Sequence, residues 1–132
     1  MSQSTVSFSR LTPLAILLAV LGVAFAVLAV AFPSVLDVVY KTLGPSEHIS
    51  LGADGRVGAG IYGGFMAGWG VQMTLFARGV GFGRASALGL IAWWVVDSTT
   101  SILTGYPYNA LSNTLCLLVF VPALGGHLRR GT

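Results

Sequence analysis

Asp97 is the residue of this chain whose surroundings point most directly to chemistry. It is the only charged residue in the apolar stretch from Ala85 to Gly105. An ionisable side chain inside a membrane costs about 2.5 to 3.5 kcal/mol on insertion scales and commonly marks a function. No Lys or Arg lies in any of the four apolar stretches of the chain, so burial favours the uncharged acid. Such a carboxyl can exchange protons, or it can donate a hydrogen bond to a neighbouring helix.

Polar residues that fall near the depth of Asp97 are its candidate partners. Thr100 and Ser101 follow three and four residues later on the same helix face. At 1.5 Å per residue, Asp97 lies about 18 Å from one membrane edge, level with Thr114 and close to Asn113. The sequence therefore predicts an intramembrane polar cluster that opens outward near Tyr106, Tyr108 and Asn109. Its predicted members are Asp97, Thr100, Ser101, Asn113 and Tyr62.

This cluster has two interpretations. As structure, Asp97 joins helices through a hydrogen bond of about 0.6 kcal/mol. As function, it handles protons or cations in a transport pathway. The substitution Asp97→Asn separates the two, because an amide preserves the hydrogen bond and cannot exchange a proton.

Glycines recur with helical spacing in the second apolar stretch. Gly60, Gly64 and Gly68 repeat every four residues, and small residues of this kind mark a close-packing helix face in membranes. Aromatic residues lie on the opposite side, among them Tyr62, Phe65 and Trp69. We expect the glycines to pack within one bundle, with a homodimer seam or a ligand groove as alternatives.

Composition places these residues in a membrane protein. Of 132 residues, 55% are hydrophobic and 8% charged, whereas a soluble domain has about 25% charged residues. The single cysteine, Cys116, excludes a disulfide scaffold. Four apolar stretches, residues 11–32, 57–77, 85–105 and 110–126, approach or exceed the length that a membrane helix needs. The sequence predicts an all-α integral membrane four-helix bundle, a single transmembrane domain over residues 1–132.

The distribution of basic residues predicts the orientation. Five arginines fall on one side of the predicted membrane, against Lys41 and Arg56 on the other, so both termini are predicted to be cytoplasmic. The five are Arg10, Arg78, Arg84, Arg129 and Arg130. A cleaved signal ending near residue 31 is the alternative for the first stretch, although its 22 residues exceed the usual signal core of about 7 to 15.

Residues 33–56 form the predicted outer loop. Ser34 and Asp37 have the spacing of a helix start, which predicts a short interfacial helix. Glu47, His48 and Asp54 lie beyond it without a metal-ligand spacing, so we expect a solvated loop. No cofactor, metal or nucleic-acid site is predicted. Because Asp97 has no acid, histidine or lysine near it in the spans, no catalysis is predicted either.

Residues 55–124 resemble small four-span bacterial inner-membrane proteins grouped as a domain of unknown function. The resemblance rests on the run from Gly55 to Gly60, Tyr62-Gly63-Gly64, Gly68, Arg84, Asp97-Ser98 and the run from Leu103 to Pro107. It implies a multi-pass protein of the bacterial inner membrane with no activity to carry over. We expect a structural or accessory membrane protein that contacts lipid and forms a homo-oligomer or binds a membrane partner. The alternative is a minimal proton-coupled transporter or channel with Asp97 in its pathway.

Overall fold

The computed structural model describes residues 11–43 and 52–129, which form five α-helices and no strand. This confirms the prediction of an all-helical protein. The helices are α1 (Thr12–Ala31), α2 (Pro33–Leu43), α3 (Ala53–Ala77), α4 (Phe82–Leu103) and α5 (Pro107–Arg129). Glu47 and His48 of the predicted outer loop, with Arg10 and Arg130, lie outside the described residues.

Two of the helices in the described residues, α1 and α4, are long and apolar enough to cross a membrane. Helix α3 begins four residues before the apolar stretch predicted at residue 57, and α5 begins three residues before the stretch predicted at residue 110. Both extensions suit a helix start. Asp54 lies in the first turn of α3, where the helix dipole favours an acid, and Pro107 opens α5 with a backbone already set for a helix.

The four long helices pack in a row. Helix α1 packs on α3, α3 on α4, and α4 on α5, with a smaller contact between α1 and α4. Because α5 packs chiefly on α4, the arrangement is open on the α5 side rather than closed into a ring. Helices α3 and α4 therefore lie at the centre of the row.

Glycines bring the central helices to backbone contact. Helix α3 has one glycine face toward α1, where a Cβ at Gly63 would lie 2.6 Å from the carbonyl oxygen of Gly22. Its second glycine face meets α4, where a Cβ at Gly68 would lie 2.6 Å from the carbonyl oxygen of Gly89. Any side chain would separate these helices, so the sequence of α3 sets how closely both neighbours approach.

Two tight turns reverse the chain on either side of α4. Gly79 and Gly105 have φ values of 84° and 90°, which glycine adopts without strain. After α3, the Val80 N–H binds the Leu75 carbonyl, and after α4 the Tyr106 N–H binds the Ser101 carbonyl. This is the Schellman ending of a helix. It makes α3, α4 and α5 successive antiparallel neighbours.

Helix α2 is anchored at the end where α1 stops. The Phe32 carbonyl accepts from the N–H groups of Val35 and Leu36, which starts α2 directly after α1. Leu36 is fully buried against Ala29 and Ala59. This helix occupies the position of the predicted interfacial helix.

Polarity is inverted relative to a soluble protein. Eight of the ten buried hydrophobic residues in the described ranges are alanines, and five polar residues are buried with them. Large apolar side chains such as Val20, Phe65 and Val119 are exposed instead. A water-facing surface rarely carries so much apolar area.

Candidate functional site

Asp97 is enclosed between three helices. Its side chain is only 2% exposed. On the α3 side it meets Gly64, where a Cβ would lie 2.7 Å from the Asp97 Cβ. On the α5 side it meets the amide of Asn109. The glycine repeat of α3 therefore makes the space that the acid of α4 occupies.

Three side chains form a closed triangle of polar atoms, which we call the Asp97 triangle: Asp97, Ser101 and Asn109. The Asn109 Nδ2 group donates to Asp97 Oδ1 over 2.9 Å and to Ser101 Oγ over 2.8 Å. The Ser101 hydroxyl also donates to Asp97 Oδ1 over 3.2 Å. Helices α4 and α5 are thereby joined by side-chain hydrogen bonds as well as by packing.

Two further side chains face the carboxyl of Asp97. The side chains of Asn113 and Trp93 lie close to it. The indole N–H of Trp93 is buried, but it meets no acceptor with hydrogen-bond geometry. The side chains next to the carboxyl are thus neutral, and two of them, Ser101 and Asn109, donate hydrogen bonds to it.

Further side-chain hydrogen bonds join α4 and α5 on the side of the triangle that faces away from the α4–α5 turn. Asn113 donates to the Ser98 hydroxyl over 3.5 Å, a long bond, and the Trp94 indole donates to the Thr114 hydroxyl over 3.1 Å. Both pairs join the same two helices. Helix α5 is therefore held to α4 by side-chain hydrogen bonds at several levels, whereas α3 packs on α4 mainly through its glycines, with a side-chain hydrogen bond from Gln72 to Ser86.

The structure brings together most of the predicted cluster. Asp97 and Ser101 are bonded directly, and Asn113 is buried beside them. Thr100 is also buried, but its hydroxyl donates to the Val96 carbonyl, and its methyl group fills the space over Gly60. It is a packing residue of the α3–α4 interface.

Tyr62 is not part of the cluster. Its side chain is 66% exposed. It lies two residues from both Gly60 and Gly64, which is a rotation of about 200° around a helix, so it points away from the face that meets α4. The prediction from depth alone ignored this rotation.

Asn109 and Ser98 belong to the site although neither was among its predicted members. Asn109 was predicted at the outward opening, and it reaches the carboxyl because it lies one turn before Asn113 on the same face of α5. The spacing of four residues between Asn109 and Asn113 was the feature of the sequence that could have identified Asn109 as a member of the site. Ser98 is found only through its bond to Asn113.

The predicted packing glycines lie against α4 of the same chain. A Cβ at Gly60 would collide with the Thr100 methyl carbon, and one at Gly68 would meet Gly89 and Trp93. With Gly64 on Asp97, all three positions of this face are covered. The face is an internal interface and offers no surface to a second molecule.

A polar contact closes the α4–α5 turn onto α3. The Tyr106 hydroxyl donates to Asp54 Oδ1. This bond raises the pKa of Tyr106 above its ordinary value of 10.0, because it stabilises the protonated phenol beside a carboxylate, while Arg56 acts in the opposite direction. The contact ties the start of α3 to the turn that begins α5.

Two of the apolar grooves on the described surface lie beside α4. One of about 580 Å³ runs between α3 and α5 over α4, and its aromatic lining includes Phe65, Trp69 and Phe120. The other, of about 380 Å³, lies between α1 and α4 and is lined mainly by valines and alanines. Asp97 lines neither groove.

Within the described residues, no group of three or more His, Cys, Asp or Glu side chains is placed to hold a metal ion. No protein-family model matches the chain, and no curated protein or solved structure matches it. The geometry of the Asp97 triangle and the distribution of polarity are therefore the observations that bear on function.

Proposed function

We propose that this protein is a multi-pass protein of a bacterial inner membrane with a structural or accessory role and no enzymatic activity. The inverted polarity carries the proposal. Alanines and polar residues fill the interior of the described ranges, while large apolar residues cover the outside. Lipid is the solvent that suits this arrangement, because it leaves apolar side chains in contact with hydrocarbon.

Four crossings follow from the connection of α4 to its neighbours. Helix α4 is apolar enough to span. Short turns at residues 78–81 and 104–106 return the chain on both sides of it, which supports the proposal that α3 and α5 cross beside it. All four long helices, with 20 to 25 residues each, have a length of about 30 to 38 Å, enough for the hydrocarbon core.

The orientation rests on the arginines at one end. Arg78 and Arg84 are exposed on either side of the α3–α4 turn. Cytoplasmic loops are enriched in such residues, so this turn and both chain ends are proposed to be cytoplasmic. The bacterial inner membrane is the location that the expected resemblance of residues 55–124 to small four-span bacterial proteins implies.

The accessory role is supported by how the polar side chains are used. Asp97, Ser101 and Asn109 bond one another, and Gln72 of α3 donates to Ser86 of α4 over 2.9 Å. These groups join helices of one chain. A homo-oligomer or a partner membrane protein would contact the open side beside α5, because the glycine face of α3 is already covered.

Proteoliposomes test the accessory role against transport. Purified wild type and Asp97→Asn are reconstituted, and proton and cation flux are measured under an imposed pH gradient, with protein-free liposomes as the control. The proposal expects no flux above the control for either protein. A pH-dependent flux in the wild type that Asp97→Asn abolishes would contradict it and establish the transporter.

The crossings and the partner are tested in cells. Reporter fusions at the two ends are expected to show both in the cytoplasm, and ends on opposite faces would contradict four crossings. Cys116 is exposed on α5 and is the only cysteine, so a bismaleimide reports a second copy at that side. A cross-linked dimer supports self-association through α5, and loss of the product in Cys116→Ser controls for specificity.

A further inference from the structure

We propose that the groove between α3 and α5 is a binding site for an isoprenoid quinone, which enters from the surrounding lipid. This groove, which we call the aromatic groove, has a volume of about 580 Å³ and is lined by residues of α3, α4 and α5. Its volume is in the range of small-molecule sites. The inference goes beyond the accessory role, and it rests on the proposed function only in placing the groove in the membrane.

The aromatic groove exists because of the way the three helices pack. Gly68 and Gly89 line it at the point where α3 and α4 are in backbone contact. Helix α5 packs on α4 rather than on α3, so a gap stays open between α3 and α5. A flat ligand can therefore reach the α3–α4 interface from the lipid without moving a helix.

Aromatic rings form most of the wall of this groove. Phe65 and Trp93 are stacked, with ring centroids 5.8 Å apart and planes inclined by 25°. Trp69 adds a second ring from α3, and Phe120 faces it from α5. Aromatic rings attract one another in offset or edge-to-face arrangements. A ligand that carries a ring therefore finds such partners on both sides of the groove.

The other groove beside α4 has a different lining. It lies between α1 and α4, and its walls are valines, alanines, two threonines and one leucine, with no aromatic residue. A flexible acyl chain suits such aliphatic walls. The concentration of rings in the aromatic groove favours a ligand that itself contains a ring over an ordinary lipid chain.

One polar side chain in the aromatic groove specifies a second property of the ligand. Gln72 lines the groove and is half-buried, and its amide nitrogen donates to the Ser86 hydroxyl over 2.9 Å. Within the described residues this is the one hydrogen bond of the Gln72 side chain. An amide nitrogen carries two hydrogens, so one N–H stays unused. In lipid an unused donor is costly, and a carbonyl oxygen on the ligand would accept from it.

A ring, a ring carbonyl and solubility in lipid together describe a quinone. The position of Gln72 also gives the direction of binding. It lies five residues before the end of α3, or about 7.5 Å, and Phe65 lies about 10 Å further from that end. The quinone ring therefore binds beside Gln72, toward the α3–α4 turn, and its isoprenoid tail runs past Phe65 toward the middle of the bilayer.

The experiment uses the full chain in nanodiscs of quinone-free phospholipid. The probe is a ubiquinone with a two-isoprene tail, and geraniol, which has the same tail and no ring, is the matched ligand control. Binding is measured as quenching of tryptophan fluorescence at unchanged lifetime, because Trp69 and Trp93 line the groove and quinone dissolved in lipid shortens the lifetime. We expect saturable quenching and a saturable rise in Tm with the quinone only, since a ligand that binds the folded state stabilises it.

Four variants locate the bound quinone. Cys116→Phe fills the groove from α5, because Cys116 is exposed and lines it, and is expected to abolish binding. Leu118→Phe is its matched control, exposed on the same helix outside the groove. Gln72→Leu is expected to lower quinone affinity about tenfold, the loss of one hydrogen bond. Ser86→Ala removes the same interhelical bond and keeps the amide, so it is expected to bind quinone more tightly than Gln72→Leu does.

Three results would overturn the proposal. The first is a wild type in which the quinone gives no saturable quenching and no rise in Tm. The second is an equal rise in Tm with geraniol, which would show that the groove takes an aliphatic chain. The third is quinone binding that survives in Cys116→Phe, which would place the ligand elsewhere. If Gln72→Leu does not fold, Cys116→Phe and Leu118→Phe still decide, since both change exposed positions. The accessory role and the crossings are judged separately, by the flux and fusion measurements.

Discussion

The amide nitrogen of Asn109 lies 2.9 Å from the carboxylate of Asp97. One residue is in the first turn of α5, and the other is six residues before the end of α4. The bond therefore fixes the register of two helices at the place where the chain has just reversed. It also brings the buried acid into contact with a half-buried side chain next to the turn between α4 and α5.

The contribution of Asn109 can be measured by a double-mutant cycle. We expect Asn109→Ala and Ser101→Ala each to lower the free energy of unfolding, and the pair to show coupling. Interhelical hydrogen bonds of this kind average about 0.6 kcal/mol and reach about 1.7 kcal/mol. The measurement is reversible unfolding in mixed micelles. Ser112→Ala serves as the control, and zero coupling between Asn109 and Ser101 would contradict the bonded triangle.

The glycine face of α3 predicts opposite results for two glycines of one helix. Gly64→Ala places a Cβ 2.7 Å from the Asp97 Cβ and 3.2 Å from its backbone. Helix α4 must then move, and the free energy of unfolding is expected to fall by about 1 to 3 kcal/mol. A methyl group added at Gly58 would meet nothing within 4 Å. Because alanine has a higher helix propensity than glycine, Gly58→Ala is expected to leave the free energy of unfolding unchanged or to raise it by up to about 1 kcal/mol. Unfolding of the two variants side by side checks this. Equal destabilisation would contradict the packing described for α3.

The turn at Gly105 gives a third prediction. Its φ of 90° disfavours any side chain, so Gly105→Ala is expected to cost about 1 to 2 kcal/mol. The substitution also disturbs the Tyr106 N–H bond to Ser101 and the Asp97 triangle behind it. Gly125→Ala is the control, because Gly125 lies within α5 with open space around it. A Gly105→Ala protein as stable as the control would argue against the turn.

The contact between Tyr106 and Asp54 predicts a loss of stability in alkali. The raised pKa of Tyr106 means that folding favours the protonated phenol. The stabilisation is complete below the ordinary tyrosine pKa of 10.0 and disappears as pH rises through the higher value of the folded protein. Unfolding across alkaline pH measures this.

Tyr106→Phe and Tyr108→Phe separate the two tyrosines near this turn. Tyrosinate absorbance is expected to show that Tyr106→Phe removes the tyrosine that ionises at a higher pH than an ordinary one, and Asp54→Asn is expected to lower the pH at which Tyr106 ionises. Tyr108→Phe leaves the late ionisation in place. A late ionisation that persists in Tyr106→Phe would contradict the assignment.

How far the sequence predicts the fold depends on whether a pattern is local. Periodic glycines at 60, 64 and 68 define a helix face, and the structure shows that face packed, but spacing cannot say which helix covers it. Likewise, alternation of apolar stretches and breaks predicts the helices, while their ends depend on polar residues such as Asp54 and on Pro107. The open row of helices is a property of packing that no single stretch encodes.

The same limit applies to the candidate site. Asp97 is recognisable because a charge in an apolar stretch is rare, and Ser101 follows from helical spacing on its own helix. Asn109 lies on another helix, and its contact depends on the length of the turn and on the rotation of α5. Tyr62 lies near the depth of Asp97 along the helix axis, but its side chain is exposed on a different face of α3. The position of a side chain on a helix depends on its rotation around the axis as well as on its depth.

The two glycine turns around α4 also bear on how the protein is made. Each major contact between long helices joins one long helix to the next long helix along the chain: α1 to α3, α3 to α4, and α4 to α5. Each long helix that leaves the ribosome therefore meets a partner that has already been synthesised, and none has to wait for a segment that is made much later. Chains with such sequence-local contacts assemble quickly, and here the order of synthesis is also the order of assembly.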